Sequence, residues 1–345
     1  MRRLLRIATA GLVFVSVWLL WPREMDSVVS ARQGVRTVPS YVLANARYTS
    51  SREGEREVEA FAEQARVELA ARQMHSESIT IYQYSANARK VKVTADRGTQ
   101  FMDERRFQLE RNVLSEALDS GFFLKSEKAN YLIGPRKLDV PVPLEGWMKD
   151  DSLRLWGDRG EGWIDRDEVW VYGNARTRHL DPRRGETRLR GDEAQLLRND
   201  ERVNFFKNVR VEQGGVTGTG AEANLFYHQA RGAQGQVSYL SLRTDVKIQD
   251  ERKRYTRSQL AEFYAPTDTI VLSGFPALYD GDDAVTGDRI TLYRATGVVE
   301  VTGTNAVGGG QHVIDGAREP ELTEEDKELL IENETSQSGK PGKKL

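Results

Sequence analysis

The sequence predicts an all-β protein, an elongated body of about sixteen antiparallel strands behind one N-terminal transmembrane helix. Three observations carry this expectation. A unit of about thirty residues recurs along the chain, each unit alternates apolar and polar residues, and one uncharged run near the N-terminus follows a cluster of arginines. The 345 residues are 39% hydrophobic and 30% charged, the composition of a chain that folds around a core. A mean hydropathy of −0.59 suits strands that turn half of their side chains to water.

The first element is the run from Ile7 to Trp21, preceded by Arg2, Arg3 and Arg6 and extended upstream by Leu4 and Leu5. Counted from Leu4 it approaches the roughly 20 residues that span a bilayer. Arginines on the N-terminal side predict a cytoplasmic N-terminus with the rest of the chain exported, and Trp18 and Trp21 suit the outer interface. Val29-Ser30-Ala31 has the small residues of a cleavage site but lies about ten residues past the apolar run. A retained single-pass anchor over residues 1–22, with a linker over 23–40, is therefore expected.

The repeat is clearest from Gly191 to Val209: Gly-Asp-Glu-Ala-Gln-Leu-Leu, a polar turn, then Val-Asn-Phe-Phe-Lys-Asn-Val. Related units start at residues 62, 95, 126, 157, 220, 258 and 287, the one at 220 needing an insertion near Gly232. Each reads as a β-hairpin, because the apolar residues fall at period two and Asp, Asn, Gly and Pro occupy the turns. Glu53 to Met74 is rich in helix formers, yet Ala62-Glu63-Gln64-Ala65 matches the start of a unit, so strands are expected there too. From Asp315 to Glu334 nine acids stand against Arg318 and Lys327, which predicts an acidic, disordered tail over 311–345.

Gly-Asp-Glu-Ala-x-Leu, turn, Val-x-Phe-x-x-Asn-Val resembles the OstA-like β-jellyroll repeat of lipopolysaccharide-export proteins. Gly274-Phe275-Pro276-Ala277 and Gly287-Asp288-Arg289-Ile290-Thr291-Leu292-Tyr293 resemble the LptA branch of that family. The anchor, followed by Glu59-Ala60-Phe61-Ala62-Glu63 and Val93-Thr94-Ala95-Asp96-Arg97-Gly98, resembles the LptC branch. The resemblance spans about residues 1–307 and divides them into an LptC-like half, 41–182, and an LptA/OstA-like half, 183–310. It leaves open whether one continuous jellyroll or two abutting ones result.

The resemblance implies a non-catalytic lipid carrier in which acyl chains lie inside an open roll and sugars and phosphates face water. The implied partners are lipopolysaccharide, the permease subunits of an inner-membrane ABC transporter, and a periplasmic bridge or outer-membrane translocon jellyroll joined by edge-strand stacking. The inner membrane would hold residues 4–21, and no nucleic acid and no cofactor is expected. Period-two phase proposes the groove lining: Phe107, Leu109, Val140, Val169, Val171, Val203, Phe205, Val209, Ile270, Leu272, Val299 and Val301. On the opposing strands Leu196, Leu225, Phe263, Ile290 and Leu292 fall in phase. Simple core packing is the competing use of each.

Other chemistry finds little support. Fifty Lys and Arg balance 52 Asp and Glu, so the basic excess of a dedicated nucleic-acid binder is missing. Cysteine is absent, which excludes disulfides, thiolate metal sites and Cys nucleophiles, and His75, His179, His228 and His312 are spread too widely for a metal cluster. No nucleophile elbow, zincin motif or phosphate loop occurs. Gly215 to Gly220 is Gly-rich but enters a strand, Asp280-Gly281-Asp282-Asp283 reads as a solvated turn, and Arg183, Arg184, Arg188 and Arg190 read as alternating surface charge. A membrane-tethered scaffold that recruits partners without carrying lipid is the alternative, and a carbohydrate-active enzyme a more distant one.

Overall fold

A computed structural model of the protein describes residues 40–307, apart from 86–87, 182–184, 229–235, 251–253, 282 and 304. The expected anchor (1–22), the linker up to residue 39 and the acidic tail (311–345) lie outside the described residues. Among the described residues no helix is long and apolar enough to cross a membrane, and helical structure amounts to one 3-10 turn, Ile164–Arg166.

Strands make up the rest. β1 (Ser40–Arg52), β2 (Glu55–Glu68), β3 (Gln73–Ser85), β4 (Ala88–Phe101), β5 (Arg106–Ala117) and β6 (Phe122–Leu132) form a continuous meander. The next pass is divided into β7 (Lys137–Val140) and β8 (Leu144–Met148), and the one after into β9 (Leu153–Gly157) and β10 (Arg159–Trp163). Undivided strands resume with β11 (Glu168–Asp181), β12 (Gly185–Leu197), β13 (Arg202–Gln213), β14 (Val216–His228), β15 (Gln236–Gln249) and β16 (Tyr255–Tyr264). The last three passes are divided into β17 (Thr269–Ser273) and β18 (Ala277–Asp280), β19 (Asp283–Thr286) and β20 (Arg289–Tyr293), and β21 (Val298–Thr302) and β22 (Asn305–Val307).

All 22 strands belong to one sheet with antiparallel pairing throughout. Sixteen strands were expected, and the difference has two physical causes. β1 precedes the first recognisable repeat start, which falls inside β2. Five passes are also interrupted, as where Pro141 and Pro143 remove two ladder donors between β7 and β8. β11 pairs with β12 on both sides of a two-residue skip (Val169↔Leu196, Thr177↔Leu189), so the sheet is continuous through the middle of the chain. The helix-forming stretch from Glu53 to Met74 is β2, a turn and the start of β3, since pairing on both sides (Ala62 with Ala46 and Ile79) overrides local propensity.

The repeated motif makes a corner. In β5, β11, β13 and β15 the register skips two residues, Arg111-Asn112, Gly173-Asn174, Lys207-Asn208 and Thr244-Asp245. All eight have positive φ, between 48° and 71°. Asn and Asp tolerate this left-handed region better than other side-chain-bearing residues. Each corner Asn also donates from Nδ2 to an Asp sixteen residues earlier: Asn112 to Asp96 at 2.8 Å, Asn174 to Asp158 at 2.7 Å and Asn208 to Asp192 at 2.8 Å. The residue before that Asp lies under the bend. A Cβ on Gly157 would come 2.1 Å from Val171 Cγ1, so glycine is required there. Because two residues turn the corner, Val203 and Phe205 before it and Val209 and Val211 after it all point inward.

The corner lock generates a prediction. Asn208→Val removes the bond to Asp192 and places a β-branched residue at positive φ, and should cost about 2 kcal/mol in urea unfolding. Asn208→Gly keeps the backbone freedom and should cost less than half as much; equal losses would show that the backbone conformation is not what the Asn supplies.

Candidate functional site

The inner face of the bent sheet is one apolar surface. A single cluster of buried side chains runs from Val58 in β2 to Leu292 in β20. Of the seventeen proposed lining residues, Phe107, Leu109, Val140, Val169, Val171, Leu196, Val203, Phe205, Val209, Leu225, Phe263, Ile270, Leu272, Ile290 and Leu292 are buried in it. Val299 and Val301 are half-buried and pack against it. All seventeen thus lie in or against the buried cluster, which core packing would place there as well.

That face is not uniformly apolar. Thr177, His179, Asp181, Thr256 and Ser258 are buried on it or at its border. Tyr131 is fully buried among Phe107 and its neighbours, and burial pushes its hydroxyl far above the ordinary phenol value. Tyr227, in ring contact with His179, is raised for the same reason.

Folding the sheet brings turns from its two edges together along a seam. Arg105, in the β4–β5 turn, bonds Glu57 of β2 at 2.6 Å, and Arg136, in the β6–β7 turn, donates to the Tyr84 carbonyl of β3. Farther along, Lys90 of β4 meets Asp167, in the β10–β11 turn, at 2.9 Å, and Arg198, after β12, donates to Ser120 Oγ at 2.8 Å. These partners stand 48 to 78 residues apart in sequence. Through the first half of the chain the seam is held by charge and the interior beneath it is largely filled by side chains.

The second half opens. Two adjoining hollows share Val216, Ile248, Ile270 and Arg294, and both communicate with solvent. Their floor includes Val211, Leu240, Leu242, Phe263, Leu278 and Leu292. Charge sits on the rim: Arg254 pairs with Asp250 at 2.7 Å, and Arg294 pairs with Asp268 at 3.2 Å while lying over the Phe263 ring. Three proposed residues, Phe263, Ile270 and Leu292, line the open stretch. Phe205, Leu196, Leu225 and Leu272 are completely buried, as core packing requires. Sequence reasoning missed the hollow's β15 residues, Leu240, Leu242 and Ile248, because the insertion near Gly232 breaks the phase of the preceding unit. The period-two signal of Leu240 and Leu242 themselves was there to find them.

Several other candidates fall outside this trough. Trp147 stacks on Phe123 and Trp170 on Tyr172 and Phe206, so these rings pack side by side on half-buried positions. Arg188 is paired with Glu186 at 2.8 Å, and Arg183 and Arg184 lie outside the described residues. Asn204 alternates outward but is only 7% exposed, and it donates to Gln195.

Comparison with known proteins adds two family matches. Residues 9–136 match the family described as lipopolysaccharide-assembly, LptC-related, and residues 184–298 match the LptA/(LptD N-terminal domain) LPS transport protein family. Together they take in more than two thirds of the chain. Among solved structures, the chain is similar to LptH, the LptA-homologous periplasmic component of the lipopolysaccharide transport device of Pseudomonas aeruginosa. That similarity is at 15% identity and a TM-score of 0.30, over 41% of this chain and 94% of LptH. No curated protein matches.

Filled and open interiors should respond differently to truncation. Phe205→Ala, in the closed part, should cost about 3–5 kcal/mol in urea unfolding, the scale of an unrelieved aromatic cavity. Phe263→Ala, beside space that already exists, should cost less than half of that. Equal costs would mean that the trough is closed in solution.

Proposed function

From the premise that the chain is a lipopolysaccharide-transport β-jellyroll protein, with an LptC-related segment ahead of an LptA/LptD-like one, we propose that it carries lipopolysaccharide across the periplasm without catalysing a reaction. The observation that carries this reading is the apolar inner face that reaches solvent between Val211 and Val298 under a charged rim. An acyl chain in water costs about 0.8 kcal/mol for each exposed methylene, so moving lipid through an aqueous compartment requires such a surface. Lipid enters the trough with its chains against Ile248, Phe263, Ile270 and Leu292. Its sugars and phosphates stay outside the seam, near Arg254 and Arg294.

The rest of the reading places the carrier. Residues 4–21 hold the protein in the inner membrane with its N-terminus in the cytoplasm, next to the permease subunits of an ABC transporter that supplies the lipid. The sheet ends on open strands: β1 pairs only with β2 among the described residues, and Tyr41, Val42 and Leu43 on it are exposed. Unpaired edges invite further strands. Stacking onto a periplasmic bridge or an outer-membrane translocon jellyroll extends the track towards the outer membrane. The halves 41–182 and 183–310 then act as the transporter-side and bridge-side parts of one roll. A second reading, a tethered scaffold that recruits partners without lipid, is favoured by the side-chain-filled first half.

Photo-crosslinking separates the two. p-Benzoylphenylalanine in place of Ile270 or Leu292 should label lipopolysaccharide in cells, whereas the same probe in place of exposed Arg210 should not. Labelling from Arg210 alone, or from none of the three positions, would favour the scaffold.

A further inference from the structure

The middle of the seam holds a second hollow, separate from the open trough. Val93, Phe122, Leu124, Leu138 and Val169 line it, with Arg198 at its border. Nothing in the groove-lining pattern marks Arg198, which follows β12 in a polar turn.

Arg198 is a nearly buried cation, its side chain 9% exposed. Its Nη2 donates to Asp167 and its Nη1 to Ser120 Oγ at 2.8 Å, while its Nε is buried without a partner. Lys90 Nζ lies 2.9 Å from the same Asp167, whose carboxylate also accepts from Asn199 Nδ2 at 3.1 Å. One carboxylate thus serves two cations, and Arg198, a charge largely out of water, keeps one free donor at the border of an apolar hollow. Such a charge is costly to bury without a partner. Glu168 also borders the hollow and keeps its negative charge, its carboxylate accepting only from the neutral donors Trp170 Nε1 at 2.5 Å and Gln195 Nε2 at 2.6 Å on that side.

The cluster also bridges the two edges of the folded sheet. Lys90 and Ser120 lie on one edge, and Asp167, Arg198 and Asn199 on the other. The hollow itself is partly open to solvent, as the trough is.

We propose that this hollow is a binding station for an amphipathic anion, in which one acyl chain occupies the apolar space and a phosphate oxygen takes the place of Asp167 on Arg198 and Lys90. The inference rests on the reading of the chain as a lipid carrier and adds a stopping point at its midpoint. The phosphate belongs either to lipopolysaccharide or to a glycerophospholipid, and both offer the same chemistry.

The test uses the full chain with p-benzoylphenylalanine in place of Phe122, or in place of Ile270 as a reporter of the open trough. Each protein is mixed with dispersed lipopolysaccharide or with phosphatidylglycerol vesicles. Labelling from the Phe122 position should fall about tenfold in Arg198→Met, the scale of one hydrogen bond to a charged group. Labelling from the Ile270 position should not change. Arg198→Lys should restore part of the loss, and Asp167→Asn, which frees both cations and suits positive φ, should raise labelling above the parent. Thermal melting of each variant shows that it is folded. Labelling by phosphatidylglycerol alone supports the station and assigns the phosphate to a glycerophospholipid. Labelling from Ile270 but not from Phe122, or labelling from Phe122 that is indifferent to Arg198→Met, overturns the station and leaves the carrier reading intact. Labelling from neither position overturns both.

Discussion

The structure depends on one constraint: strands that pass up and down the sheet must bend at a common line. Asn112, Asn174 and Asn208 hold the bend in the left-handed region, and Asp96, Asp158 and Asp192 on the neighbouring strands hold the Asn side chains. The two-residue corner preserves side-chain parity, so the apolar row continues inward past it. A corner of one residue would send Val209 and Val211 to the solvent face. The close approach that the bend demands is why Gly157 tolerates no Cβ. Hairpin pairing, a continuous inner surface and the meeting of opposite turns all follow from this repeated corner.

Bending creates an interior, and the two halves of the chain treat it differently. In the first half Phe107, Leu109, Tyr131 and Ile133 fill it, and Arg105, Arg136, Lys90 and Arg198 tie the edges together over it. In the second half Arg254 pairs with Asp250, four residues before it, and Arg294 with Asp268 in a turn on its own edge, and the trough stays open. A monomeric protein that keeps apolar surface within reach of water normally has an occupant for it. The charge arrangement therefore separates a latched stretch from an accessible one along the same apolar floor.

Much of this was legible in the residues. The hairpin period, the inward parity of the seventeen proposed residues and the Gly-Asp…Asn-Val signature are local, spanning about thirty residues or fewer, and local patterns survive in sequence. The strand count was less so, since β1 carries no copy of the signature and the divided passes depend on interruptions such as Pro141 and Pro143. The seam was not legible at all. Arg198 and Ser120 stand 78 residues apart, and nothing in either turn marks the other as its partner. Volume is equally invisible to phase: Ile270 and Leu272 share a parity, yet one borders open space and the other is completely enclosed.

The central claim, that acyl chains occupy the open trough, is tested most directly by an experimental structure of the full chain saturated with lipopolysaccharide. Acyl density should lie between β13 and β20 against Ile248, Phe263, Ile270 and Leu292, with sugar density outside the rim at Arg254 and Arg294. Lipid density confined to the outer face, with the trough collapsed onto its own side chains, would contradict it.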